Sequence, residues 1–191
     1  MALFSMKLEN LQQLYLKELR DLYSAENQIT DALPKLIEAA NNSELKNALQ
    51  KHLNVTQTQI GRLEQIFQTL NEKPTGETCK GMKGVIKEGD EIVSAGNDPS
   101  TVDAGIISAA QRVEHYEMAG YGTVRTYAKL LGRDQDSQLL QQTLDEEKEA
   151  DQTLNRIAEE LNQQVPLEED RSRKPIVGNI KAFHRKTKSA A

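Results

Sequence analysis

The sequence has little of what usually cross-links or anchors a small fold. Its 191 residues include one cysteine and no tryptophan, and only 4% are aromatic. The lone Cys79 excludes a disulfide framework within the chain, and equally a four-cysteine zinc site or a rubredoxin-type iron site. Nowhere does the chain approach the roughly eighteen consecutive apolar residues of a membrane-spanning helix. Residues 1–7 lack the apolar run and small-residue cleavage site of a secretory signal. A cytoplasmic protein without membrane contact is therefore expected. With 37% hydrophobic residues and so few aromatics, the core has to be aliphatic and the surface highly charged. The length suits one domain and is enough to bury such a core.

The net charge of −5 is unevenly spread. Arg171, Arg173, Lys174, Lys181, Arg185, Lys186 and Lys188 give the segment after Asp170 a charge of +7, with no acid to offset it. Residues 1–170 hold all 29 acids against 17 basic residues, a charge of −12. The division expected is a body over 1–165 and a basic tail over 166–191. The tail reads either as a solvated segment or as an arm that touches nucleic-acid phosphates, or the acidic body of a partner subunit, through residues 171–188. It contains no base-reading module, so such nucleic-acid binding is expected to be weak, salt-sensitive and independent of sequence.

Within the body, apolar residues recur three and four positions apart, the period of an amphipathic helix. One stripe passes through Leu11, Tyr15, Leu19, Leu22, Ile29, Leu33 and Leu36, predicting a helix from about Lys7 to Asn41 with a kink at Pro34. A second runs from Leu45 to Leu70 behind the capping cluster 41–43 and stops at 71–76. Residues 71–100 read as a long connection. They are rich in glycine but keep a helical period at Met82, Val85, Ile86, Ile92 and Val93, which predicts a short, loosely built crossover helix. Ser100 is the expected cap of the next helix, with Asp103 three residues on in a capping-box arrangement. Its stripe runs from Ile106 to Leu131. A fourth helix is predicted from about Gln135 to Asn162. No strand pattern appears. Four helices in two short-linked pairs, joined by one long crossover, make an all-α fold, the ferritin-like four-helix bundle. A faint repeat agrees: an offset of 91 residues superposes Glu26 on Glu117, Leu49 on Leu140, Leu53 on Leu144, Leu63 on Leu154 and Ile66 on Ile157.

The chemistry lies in what interrupts the stripes. Glu26, Glu117 and Glu147 each fall among apolar residues of a different helix. Glu114 is one turn from Glu117, and Asp151 is one turn beyond Glu147. A carboxylate in an aliphatic core costs several kcal/mol unless it is paired or binds a cation, and no Lys or Arg falls on these inner positions. Either these acids reach water at the stripe edge, or they converge as ligands for hard or borderline divalent metals. His52, Thr56 and Gln59 share the inner face of the second helix. His52 is either a nitrogen ligand or a hydrogen-bonded core residue. His115 points away from the stripe and reads as surface. Tyr121, one turn from Glu117, would lie near a metal, and Glu146 is a further neighbour of the same set.

Several runs resemble the YciE/YciF family of bacterial stress-associated proteins in the ferritin-like superfamily. They are Asp21 to Gln28; His52-Leu53 with Thr56 and Gln59-Ile60-Gly61-Arg62; Ala109 to Gly122, with Val113-Glu114-His115-Tyr116-Glu117 the most specific part; and Leu144 to Asp151. The resemblance covers about residues 7–162. It implies a bundle that forms a homodimer and carries a dinuclear metal site. Similarity to rubrerythrin-type helices implies Glu26 as the first-helix ligand, Glu114 with Glu117 as the third-helix pair, and Glu147 with Asp151 in place of a histidine on the fourth. The second helix departs from the pattern. It has Val55 and Thr56 where a glutamate is wanted, leaving Gln59 and His52, which puts full two-metal oxygen chemistry in doubt. The function expected is iron or oxidant handling at a di-iron or mono-iron carboxylate site, with manganese as the second candidate metal. The alternatives are a non-enzymatic helical dimer scaffold with a degenerate site, and nucleic-acid binding through the tail.

Overall fold

The helix ends are set by short polar caps. α1 (Leu11–Ala39) starts where the Asn10 side chain accepts the Gln13 amide at 2.9 Å. α2 (Ser43–Leu70) starts at Asn42, whose side chain accepts the amides of Glu44 and Leu45, and ends at Asn71 in the left-handed conformation, φ 53°. The computed structural model of the chain describes residues 8–75 and 77–167. These form five α-helices and a terminal 3₁₀ turn with no strand among them. The basic segment 171–188, with its expected partners, lies outside the described residues.

The predicted crossover helix is α3 (Lys80–Ala95), four turns long and more firmly seated than its glycines suggest. Its first turn is clipped to α1 and to the helix that follows it. The Cys79 thiol donates to Asp21 Oδ2 at 3.1 Å, and the Tyr116 hydroxyl donates to the same oxygen at 2.7 Å. Glycine allows the close approach: a Cβ on Gly81 would lie 2.6 Å from the Tyr116 ring, and one on Gly105 would lie 2.4 Å from Ile92. Glycine that weakens an isolated helix here lets two helices touch.

α4 (Pro99–Leu130) corrects the expected cap. Asp98 caps it, accepting the Thr101 amide at 3.0 Å with Pro99 in the first turn, while Ser100 donates its hydroxyl to the Asp98 carboxylate. Asp103 turns inward instead. It is buried, and it accepts the Asn41 and Asn42 amides at 2.7 and 2.8 Å, so α4 holds the α1–α2 turn. α5 (Asp134–Leu161) follows a three-residue link. α1 runs on through Pro34, the position where a kink is expected. That residue faces solvent, where the carbonyl it leaves without a partner can be hydrated.

Short links make α1/α2 and α4/α5 antiparallel pairs. Contacts across the pairs run in the same sense. Asn41 meets Asp103 and Glu26 meets Tyr121 between α1 and α4, while Lys51 meets Glu149 and Arg62 meets Thr143 between α2 and α5. The 91-residue offset carries Ser43–Leu70 onto Asp134–Leu161 without a remainder. α3 lies against α4 and α1.

The buried apolar residues fall into two cores. One contains Tyr15, Leu22, Leu63, Phe67, Val124 and Leu140; the other contains Ile29, Leu33, Leu49, Ile106, Leu154 and Ile157. On every long helix the changeover comes at the same level, between Leu22 and Ile29, Leu49 and Leu63, Ala110 and Tyr121, and Leu144 and Leu154. A polar layer occupies that level. No described helix is long and apolar enough to cross a membrane.

Replacing Asp103 with Ala removes the acceptor of two amides in a buried turn. A loss of about 1–3 kcal/mol in urea unfolding is expected, with no change in metal affinity because the turn is remote from the polar layer.

Candidate metal centre

Four helices each place acid or imidazole in the layer. Glu26 comes from α1, His52 from α2, Glu114 and Glu117 from α4, and Glu147 from α5. The helical period turns these positions inward together with the apolar stripe, so burial of the stripe carries them into the core. Glu26, Glu117 and Glu147 are at most 1% exposed and Glu114 is 2% exposed, so none reaches water as an edge acid would. One ligand atom from each of His52, Glu114, Glu117 and Glu147 can be chosen such that all four lie within 4.8 Å of one another. His52 Nε2 is 3.5 Å from Glu114 Oε1.

Donors to this set are few. The Tyr121 hydroxyl donates to Glu26 Oε1, and the Gln59 amide donates to Glu147 Oε1. Glu26 Oε2, Glu114 Oε2, Glu147 Oε2, His52 Nε2 and both oxygens of Glu117 are buried without a hydrogen-bond partner. Among the described residues no Lys or Arg forms an ion pair with any of the four glutamates. A cation lies at the rim, where Arg62 grips Glu146 through two nitrogens at 2.6 and 2.7 Å. Glu146 therefore has its own counter-charge and is not one of the four residues whose ligand atoms converge. Gln59 links the two, also donating to Glu146 Oε2 at 3.2 Å. Sequence reasoning missed Arg62, although it lies three residues after Gln59 on the same face of α2.

Asp151 sits at the edge of the layer. Its Oδ2 accepts from Asn155 at 3.0 Å and its Oδ1 is 3.4 Å from the Nε2 of His115, whose side chain is mostly exposed. It does not join the converging set. His115 lies on the surface, as expected of a residue pointing off the stripe.

Burial without counter-charge shows in the proton affinities. Burial, and then the mutual repulsion of the carboxylates, pushes the carboxyls of Glu26, Glu114 and Glu117 well above the usual range. Glu147 is pushed up by burial to about 7, opposed by hydrogen bonds from Glu114 and Gln59. Burial lowers His52 to about 4, so the imidazole is neutral and able to ligate at neutral pH. Oxygen-rich donors, one neutral imidazole and unpaired buried lone pairs fit a hard or borderline divalent cation. Such an ion would satisfy atoms that the protein leaves without a partner.

Residues 10–165 match the family described as "Domain of unknown function (DUF892)". The chain is 40% identical over 154 residues to protein YciF of Escherichia coli K12, covering 80% of this chain and 93% of that one. The crystal structure of the E. coli stress protein YciF superposes with a TM-score of 0.79 at 38% identity, over 83% of this chain and 100% of that one. YcfI of Rhodopseudomonas palustris, whose description calls it a structural protein, superposes with a TM-score of 0.77 at 47% identity, over 80% of this chain and 97% of that one.

The raised carboxyls make metal-free stability depend on pH. A carboxyl whose folded pKa lies above its ordinary 4.5 stabilises the fold below that value, and the stability is lost as pH rises through the folded pKa, about 7 for Glu147. His52 acts oppositely: its contribution is present above its ordinary 6.5 and is lost as pH falls through about 4. Four carboxyls outweigh one imidazole. In excess chelator, thermal unfolding is expected at a higher temperature at pH 5.5 than at pH 8, with a smaller difference in Glu117→Gln. A flat or opposite profile would show that the carboxyls are not held as described.

Proposed function

The chain belongs to the DUF892 family, and from that premise we propose that it is a ferritin-like four-helix bundle acting as a metal-binding stress protein. Its cargo or cofactor is iron, with manganese the second choice, held by Glu26, His52, Glu114, Glu117 and Glu147. The observation that carries this reading is the set of buried, unpaired carboxylate oxygens around a neutral imidazole. Four carboxylates balance the charge of two divalent ions, and His52 supplies the nitrogen donor on the helix that lacks an acid.

The chain's own groups prepare the donors. Tyr121 holds one oxygen of Glu26 and leaves Oε2 to face the layer; Gln59 does the same for Glu147. Glu117 keeps both oxygens open and would offer either of them to a cation. Arg62 holds Glu146 at the rim and keeps that acid out of the ligand set. The two apolar cores exclude water above and below, which keeps the donors in one geometry. Iron bound there would supply one-electron exchange between the divalent and trivalent states, as needed to store iron or to reduce peroxide. No cysteine cluster accompanies it, so electrons would come from outside the chain.

A second reading, a structural helical protein with a degenerate site, draws on the neutral Gln59 and on the description given to YcfI. Metal analysis separates the two. Protein produced with iron available is expected to carry between one and two iron or manganese ions per chain. Glu117→Ala and Glu147→Ala should bind at least about tenfold more weakly, while His115→Ala is unchanged. Wild-type protein that holds neither metal and oxidises no added Fe(II) would overturn the iron reading in favour of the structural one.

A further inference from the structure

The donors of the polar layer are closed off. His52 Nε2, Glu26 Oε2, Glu114 Oε2, Glu147 Oε2 and both oxygens of Glu117 are buried, so no ion reaches them unless a side chain at the edge of the layer moves. A cavity of about 290 Å³ borders the layer, with mainly apolar walls; His52, Glu114 and Glu146 are among its polar lining residues. Glu146 belongs to both sides of the barrier: its side chain is 32% exposed, and Gln59 joins it to the buried donors. The Gln59 amide nitrogen donates to Glu147 Oε1 on the inside and to Glu146 Oε2, at 3.2 Å, on the outside. Both acceptors are carboxylate oxygens, so the amide has to turn its nitrogen to them. Its own oxygen, Gln59 Oε1, is left buried without a partner. Arg62 completes the chain of bonds, donating to the two oxygens of Glu146 at 2.6 and 2.7 Å and to Thr143 Oγ1 at 3.2 Å. This pair is bidentate but not sealed, since the Arg62 side chain is 18% exposed. An ion pair in contact with water exchanges a partner at far lower cost than a buried one. Asp151, at another edge of the layer, is half as exposed as Glu146 and is tied to Asn155 and His115.

We propose that Glu146 is the entry ligand of the metal centre: Arg62 holds it closed, and on leaving Arg62 it takes a divalent cation at the rim and passes it to Glu147. The inference rests on the metal-binding reading above and adds a residue that acts only in passage. The guanidinium keeps its charge at every working pH, so Glu146 is paired at rest. A cation then replaces Arg62 as the partner, and the carboxylate is never left bare. Once Glu146 turns to the cation, the Gln59 amide loses one of its two acceptors. Rotation of that amide brings its unpartnered Oε1 round as a neutral oxygen between the rim acid and the buried ones. Glu146 returns to Arg62 when the ion has moved on, which accounts for its place outside the four converging residues.

The full chain, freed of metal by chelator, would be mixed in a stopped-flow cell with Co(II), whose visible absorption changes on binding; excess EDTA then gives the release rate. Glu146→Gln is expected to slow loading and release alike, each at least about tenfold, with Kd kept within about threefold. A residue used only in passage alters the barrier and neither end state. Arg62→Gln removes the latch and should speed loading at least about threefold. Asp151→Asn should leave both rates unchanged. Circular dichroism checks each variant, and Glu146→Ser gives the same readout if Glu146→Gln does not fold. A Glu146 acting only through its charge would slow loading and speed release, raising Kd. A merely structural Glu146 would lower the unfolding temperature without slowing release. Either result, or slowing in Asp151→Asn instead, would overturn the proposal and leave the metal reading standing. Wild-type protein that takes up no Co(II) would also overturn it, and failure to hold iron or manganese as well would take the metal reading with it.

Discussion

Four carboxyl groups are buried at one level of a helical core, and no described Lys or Arg forms an ion pair with them. The rest of the structure follows from that constraint. Ionised carboxylates in an apolar interior are costly enough that a protein normally pairs them, protonates them or avoids them. Here the chain assembles them from three helices and adds a neutral imidazole from the fourth. From outside the cluster, two donors, Tyr121 and Gln59, hold them in place. The layer splits the hydrophobic core into two, so each long helix has to be amphipathic on both sides of the break and in the same register. The turn held by Asp103 helps set that register between α1–α2 and α4. The offset that carries α2 onto α5 is the imprint of the same demand on the sequence.

α3 contributes differently. It adds no acid or imidazole to the layer, but it roofs the core on one side of it. Its close contact with α4, through Gly81, Gly89 and Gly105, leaves a cavity that a bulkier pairing would fill. The clip of Cys79 and Tyr116 on Asp21 fixes its first turn. The polar layer and the cavity share His52 and Glu114 as lining residues.

Much of this is legible in the sequence because it depends on periodicity. Glu26, Glu117 and Glu147 lie within apolar stripes, and a stripe that packs has to carry them inside. Gln59 and His52 follow by the same argument on α2. What misleads is the reach of side chains beyond their own helix. Asp103 suits a capping box by spacing, yet its carboxylate serves a turn 61 and 62 residues away. Glu146 lies near the layer in sequence, but Arg62 of α2 holds it, and no local rule announces that pairing.

The sequence by itself determined the helices, their inward faces and the acids on them, since these depend on residues three and four apart. Only the tertiary structure decided which acids meet, because convergence depends on the relative heights of four helices set by turns and caps far apart in the chain. It also decided where Arg62 falls, which groups lack partners, and that space remains beside His52. Those are properties of distance between side chains from different helices, and the periodicity of one helix carries no information about them.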